Sequence, residues 1–257
     1  MKIIVPIKQV LDPSGLTFRR DKERMFINRE EYIIGAGSKA AIEAALRLKG
    51  DGEQVIAISM GEPRADDALR EALAMGCDAA HLLSDEAFKE ADISVTARIL
   101  ATAVEELGGA GLVITGRSSA DTGAGQIGPR LAEALGYSQV TDVYEVAIQN
   151  ETLQATRRWG DGYATVTAPL PAVITVAPEA FPPRYAHGAR ILNAYREWEV
   201  PVWSADDLGL AEAALTPLLA SRGEGFPPPL EVEVYRGDPE TVAQEAVMTL
   251  KLQKLIG

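Results

Sequence analysis

At 257 residues, 47% hydrophobic and 24% charged, the chain has the size and composition of one large globular α/β domain, or of one domain plus extensions. A formal net charge of −12 with no run of Lys and Arg argues against a nucleic-acid groove or an anionic membrane surface as partner. One cysteine, Cys77, and two histidines, His81 and His187, exclude a disulfide framework and a Cys- or His-rich metal cluster.

The opening Met1-Lys2-Ile3-Ile4-Val5 runs directly into a strand-like segment. No signal or transit peptide is therefore expected, no apolar stretch approaches a membrane span, and the expected address is the cytoplasm. Ile3 to Val10, apolar and rich in β-branched residues, predicts a buried first strand. Residues 11–34 are polar and turn-rich, headed by Asp12-Pro13-Ser14-Gly15, and read as an excursion with a hairpin between Thr17 and Ile34. Alanine and leucine at helical spacing predict a helix over Ser38–Lys49, stopped by Gly50. There follow a strand over Gln54–Ser59, a helix over Glu62–Met75 with Pro63 in its first turn and Gly76 after its end, a strand over Ala79–Leu83, and a helix over Ser94–Leu107. A fourth strand, Leu112–Thr115, and a fourth helix, Gly125–Leu135, complete the alternation.

Short apolar strands alternating with helices predict an α/β fold with a doubly wound, mostly parallel, Rossmann-like sheet covered on both faces. Beyond residue 139 the pattern changes. Val140–Ile148, Leu153–Arg158, Tyr163–Ala168 and Ala172–Val176 read as consecutive strands with turns at Gln149-Asn150 and Gly160-Asp161-Gly162, an antiparallel addition. Residues 177–234 are rich in proline, including Pro227-Pro228-Pro229, and few helices are legible there, so an extended arm is expected from 177. An amphipathic helix over Pro239–Leu255 closes the chain. The expected division is a nucleotide-binding domain over 1–176 and an arm with its C-terminal helix over 177–257.

The stretch from Gly116 to Pro129 follows the fourth strand and opens the fourth helix. In an open α/β sheet the carboxyl ends of the strands form the ligand crevice, and a helix N-terminus there offers free amides and the positive end of the dipole to a phosphate. Gly123 and Gly125 allow close backbone approach, Ser118, Ser119 and Thr122 add hydroxyls, and Arg117 could add a charge. An ordinary glycine-rich turn with a polar cap explains the composition equally well. The loop does not match the P-loop pattern, and the first strand is not followed by G-x-G-x-x-G.

The same loop resembles the adenine-nucleotide loop of electron transfer flavoprotein beta subunits, with a pattern near G-x-x-S-x-D-x-x-x-G-Q-x-G-P, at Gly116, Ser119, Asp121, Gly125, Gln126, Gly128 and Pro129. Val5 to Val10 is similar to that family's opening strand, Ala41 to Lys49 to its first helix, Arg70 to Gly76 to its second, and Leu170 to Thr175 with Pro183 to Ala186 to its late strand and arm. The resemblance implies a heterodimer with an alpha subunit that carries most of an FAD, and an AMP held in the beta subunit. The AMP site would comprise Pro6, Gly35, Ala36, Gly37, Ser38, Met60, Gly116, Arg117, Ser118, Ser119, Ala120, Asp121, Thr122, Gly123, Ala124, Gly125, Gln126 and Ile127. In electron-bifurcating relatives a second FAD takes the AMP position, and these motifs do not separate the two. The segment Tyr185–Leu192 would dock flavin dehydrogenases, electrons would pass to a membrane quinone reductase or similar acceptor, and the arm would wrap the alpha subunit. The pattern departs where members carry Asn-Pro-Phe in place of Gly35-Ala36-Gly37, where Pro13 replaces an aromatic, and where Gly188 replaces a leucine.

No Ser-His-Asp or Cys-His set and no metal cluster emerge, which suits a carrier in which the cofactor does the redox chemistry. Cys77 reads as a packing residue, His81 as a core or strand-end residue and His187 as a solvated contact. Asp121 reads as a cap or loop brace. A stand-alone ATP-binding α/β protein is the competing reading from another class.

Overall fold

In a computed structural model, residues 1–22, 24–220 and 232–256 are described. The chain divides into two compact units, Met1–Ser221 and Arg222–Gly257. In the first, β1 (Lys2–Pro6), β2 (Gln9–Leu11), β3 (Leu16–Arg19), β4 (Arg24–Ile27) and β5 (Tyr32–Ile34) lead to α1 (Ala36–Leu48). Three alternating pairs follow: β6 (Gln54–Met60) with α2 (Asp66–Met75), β7 (Ala79–Leu83) with α3 (Ile93–Glu106), and β8 (Leu112–Gly116) with α4 (Ile127–Leu135). Then come β9 (Ser138–Gln149), β10 (Thr152–Trp159), β11 (Gly162–Pro169), β12 (Ala172–Val176), α5 (Gly188–Arg196) and β13 (Val202–Trp203).

The main sheet has nine strands in the order β11-β10-β9-β12-β8-β1-β6-β7-β13. From β9 to β13 in that order every pairing is parallel, and β10 and β11 add an antiparallel extension at one edge. The central strands are apolar on both faces because helices cover both. In β1, Ile3 and Val5 join Val55, Ala57, Leu112 and Ile114 in a core shared with α1 and α2. Ile4 joins Ile56, Ile58 and Val113 in a second core shared with α3 and α4. Ile3, Ile4 and Val5 have no exposed surface, and burial of each stabilises the fold by about 1.5–3 kcal/mol. Helix α1 fits closely because Ala40, Ala41, Ala44 and Ala45 form its buried face.

The α/β reading and the antiparallel addition thus hold, with one difference in topology. Three of the four late strands, β9 to β11, form the antiparallel extension, while β12 returns between β9 and β8 and runs parallel to both. All five of its residues are buried, which suits an interior strand covered on both faces. The first excursion holds a two-stranded hairpin, β3 with β4, and β5 pairs back onto β2.

Beyond Val176 the chain does not leave the first unit at once. Arg190 of α5 donates to the carbonyls of Leu73 and Ala74 in the last turn of α2, at 3.1 and 2.8 Å. Arg70 of α2 donates in turn to the carbonyls of Ala194 and Trp198 at the end of α5. The Ala74 and Ala194 carbonyls lie in the last turns of α2 and α5, where intrahelical donors run out, and the two arginines supply the missing partners. β13 then pairs with β7 at the sheet edge. The proline run at 227–229 lies outside the described residues. In the second unit α6 (Pro239–Leu252) is capped by the Asp238 carboxylate and leaves Val247, Met248 and Leu252 exposed. No helix among the described residues is long and apolar enough to cross a membrane.

Candidate functional site

The strand order reverses at β1: β6 lies on one side and β8 on the other. Helices after β1 and β6 pack on one face and those after β7 and β8 on the other. This switch point opens a crevice at the carboxyl ends of β1 and β8. A cavity of ≈ 1180 Å³ occupies that place, lined by the ends of β1, β6, β7 and β8, the starts of α1 and α3, and the loop before α4.

Its lining is mixed: Met60, Pro63, Phe88, Ala91, Ile93, Leu100 and Ile127 contribute apolar surface, Glu62, Asp85, Glu86 and Lys89 contribute charges, and Ser38, Ser118, Ser119 and Thr122 contribute hydroxyls beside the backbone of the loop before α4. Neither α1 nor α4 receives a side-chain cap at its N-terminus: Gly35 has no side chain, and Gln126 makes no capping bond and accepts from Arg130 instead. By contrast Asp92 caps α3 with bonds to Ser94 N and Val95 N. Two helices with open first-turn amides therefore border the cavity, a setting suited to an anion.

The approach of α1 to β8 depends on two glycines. A β-carbon on Gly37 would stand 2.9 Å from Ser118 O, and one on Gly116 2.6 Å from the carbonyl carbon of Gly37. Gly128 meets β12 similarly, since a β-carbon there would fall 2.2 Å from Thr175 Cγ2. The loop itself turns through positive φ at Gly123 and Gly125, 62° and 64°, where a residue with a side chain is strained. It is braced by Gly123 N–H donating to Ser119 O at 3.0 Å, by the Ser119 and Thr122 hydroxyls 2.9 Å apart, and by Thr122 N–H donating to Asp121 Oδ1 at 2.8 Å.

Asp121 also takes an ion pair from Lys8 at 2.5 Å. Burial pushes its carboxyl up, but hydrogen bonds from Lys8 and Ser119 with the Lys8 charge outweigh this and hold it below the usual value. Arg117 reaches the other way. Its N–H donates to Val176 O at 2.9 Å and its guanidinium pairs with Asp142 at 2.9 Å. Asp142 sits at positive φ, 57°, beside register shifts in β10 and β12, and its N–H donates to Thr175 Oγ1. Such a bulge re-aims a side chain, here towards Arg117.

Of the residues singled out from the sequence, Pro6, Ser38, Met60, Gly116, Arg117, Ser118, Ser119, Thr122, Ala124, Gly125, Gln126 and Ile127 line the cavity. Gly35, Ala36, Gly37, Ala120, Asp121 and Gly123 are not among its lining residues. Sequence reasoning missed Lys8 and the wall from Ser84 to Leu100, including Phe88 and Ile93. The crevice rule that pointed to the loop after β8 applies equally to the loop after β7, and that was the available signal.

The lining fits an adenine nucleotide: an apolar slot for a base, open amides and hydroxyls for phosphate, and glycines where backbone must come close. Thr115 Oγ1, buried at the floor, has no hydrogen-bond partner among the described residues. No group of three or more His, Cys, Asp and Glu among the described residues is disposed to hold a metal. The Cys77 thiol is pushed up to about 12 by burial and stays protonated. His187 caps α5 through Nδ1, and His81 packs on Trp203 with ring centroids 4.4 Å apart.

Residues 25–208 match the electron transfer flavoprotein domain family. The chain is 39% identical over 216 residues to the electron transfer flavoprotein subunit beta of Clostridium acetobutylicum, covering 84% of this chain and 83% of that one. It is 35% identical to the caffeyl-CoA reductase-Etf complex subunit CarD of Acetobacterium woodii, over 83% of this chain and 82% of the other. It is 34% identical to the acryloyl-CoA reductase electron transfer subunit gamma of Anaerotignum propionicum, over 76% and 74% of the two chains.

Proposed function

The chain belongs to the electron transfer flavoprotein family on its beta-subunit side, and from that premise we propose that it binds an adenine nucleotide in the cavity at the switch point and helps a larger alpha subunit enclose an FAD. The observation that carries the reading is the cavity lined by both apolar side chains and hydroxyls and bordered by the uncapped starts of α1 and α4. The base lies between Met60, Phe88, Ile93 and Leu100, and the phosphate meets the amides and hydroxyls of the Gly116–Ile127 loop. The nucleotide is AMP in the simple carrier.

FAD supplies the redox chemistry when the two subunits hold it. This chain's own residues bind, orient and exclude water. The segment Tyr185–Leu192 supports docking of flavin dehydrogenases as electron donors: Tyr185 is 95% and Leu192 56% exposed on a platform pinned by arginines. The exposed apolar residues of α6 support a contact with the alpha subunit. Electrons leave for a membrane quinone reductase or similar acceptor, with the complex in the cytoplasm.

A second reading has its own support. Two relatives carry names that place them with caffeyl-CoA and acryloyl-CoA reductases, and the ≈ 1180 Å³ cavity exceeds the roughly 300–1,000 Å³ usual for a small-ligand site. Both suit an electron-bifurcating complex in which a second FAD places its adenosine diphosphate half here. The test is co-expression with the large-subunit gene, followed by reduction of the purified complex with an acyl-CoA dehydrogenase and its substrate. Flavin bleaching in a stable heterodimer supports the reading; failure to form any complex sinks it.

A further inference from the structure

Among the described residues, three cationic side chains line the cavity: Lys8, Lys89 and Arg117. Lys89 pairs with Glu86 at 2.7 Å within the turn after β7. Arg117 turns away to Asp142. Lys8 stands against the glycine-rich loop, its Nζ 2.5 Å from Asp121 Oδ2. Its main chain is fixed twice, since its N–H donates to Ser38 Oγ and its carbonyl accepts from Gly35 N–H, each at 3.0 Å. The backbone of Lys8 thus locks the start of α1 to the end of β1, while its side chain spans to the loop before α4.

A phosphate at the open amides of this loop lies beside the Asp121 carboxylate. Two anions side by side repel, and the repulsion is removed by a cation between them. An ammonium carries three donors, so the pair with Asp121 leaves capacity for a second acceptor. Lys8 lines the cavity, and with side chains 45% and 37% exposed the Lys8–Asp121 pair is open to a ligand. We propose that Lys8 is a further nucleotide-contacting residue, its ammonium bridging the Asp121 carboxylate and the phosphate of the bound nucleotide. The proposal rests on the adenine-nucleotide reading above. It makes Lys8 the source of a preference for the 5′-phosphorylated ligand.

The test is calorimetric titration of AMP and of adenosine into the full chain stripped of nucleotide, as wild type, Lys8→Gln and Asp121→Asn. Adenosine reports the base slot and the fold; the ratio of the two affinities isolates the phosphate. Wild type is expected to prefer AMP, and Lys8→Gln to lose about tenfold of that preference with adenosine unchanged. Asp121→Asn keeps the ammonium and removes the neighbouring anion, so it is expected to retain the preference. Equal losses in both variants would make Lys8 a loop brace only and overturn the proposal, as would an undiminished preference in Lys8→Gln. If Lys8→Gln also loses adenosine, Lys8→Met, which keeps the aliphatic stem, replaces it under the same criteria. A wild-type chain that binds neither ligand overturns the nucleotide reading itself, and this proposal with it.

Discussion

Gly37 and Gly116 meet backbone to backbone, and their contact sets how closely the first turn of α1 approaches the end of β8. With hypothetical β-carbons at 2.9 Å from Ser118 O and 2.6 Å from Gly37 C, neither position has room for a methyl group, and the obstacle in both cases is main chain. Gly37→Ala or Gly116→Ala is therefore expected to push α1 off β8, destabilising the fold by about 1–3 kcal/mol and weakening nucleotide binding. Gly162→Ala is the control, because a β-carbon there meets nothing within 4 Å. Thermal melts and AMP titrations of the three variants check this.

Arg117 lies on the cavity lining, but its guanidinium is held by Asp142 at 2.9 Å with Glu179 at 3.8 Å. Its hydrogen bond to Asp142 raises its already high pKa, so the guanidinium stays charged. Arg117→Met is expected to leave AMP affinity within about threefold of wild type, since no new phosphate contact is lost and surface pairs contribute little. A tenfold loss, read by the same titration, would return Arg117 to the phosphate.

Glu43 in α1 fastens the segment after β12. Arg184 donates to it from Nε at 2.8 Å and from its backbone N–H at 3.1 Å, and Arg47 donates at 2.7 Å. Burial raises the carboxyl, but the bonds from Arg184 and Arg47 prevail and its folded pKa lies below the usual glutamate value of 4.5. A depressed acid contributes stability that is complete above its unfolded pKa and is lost as pH falls through the folded one. Glu43→Gln should therefore melt earlier than wild type at pH 7, by the equivalent of about 1–2 kcal/mol after discounting for the half-open Arg184. The gap should close as pH drops below 4.5. Melting curves against pH decide it, and a gap that persists into acid contradicts the assignment.

In the second unit, Met248 and Leu252 are 65% and 74% exposed on α6. Replacing both by Asp is expected to weaken the heterodimer by about tenfold or more, because apolar contacts at an interface core dominate its affinity. Nucleotide affinity should not change. Analytical ultracentrifugation of the co-expressed pair supplies the measurement.

Much of the fold was legible because its signals are local. β7 was placed at Ala79–Leu83 and starts there, and α1, α3 and α4 were found within two residues at each end, from alanine and leucine spacing and the glycines that follow. The return of β12 to the sheet interior was not legible. Ala172–Val176 is as apolar as any hairpin strand, and only tertiary pairing with β8 decides its place. α5 was hidden for a different reason: it is short, follows three prolines within residues 178–183, and is held by arginine bonds to α2 that leave no periodic trace. At the site, the loop before α4 announced itself through its glycines. Lys8 and Phe88 did not, because a lysine after a strand and a phenylalanine in an acidic turn have no pattern until the strand ends converge.

The central claim is that this chain, with its alpha partner, carries an adenine nucleotide beside the FAD. The most direct measurement is acid extraction of the co-expressed, purified complex, with chromatographic counting of the released nucleotides. The account expects one FAD and one AMP per heterodimer, or two FAD and no AMP if the complex is of the bifurcating kind. A complex that yields FAD from the alpha subunit alone, with no adenine nucleotide left to fill the cavity between β1 and β8, would contradict it.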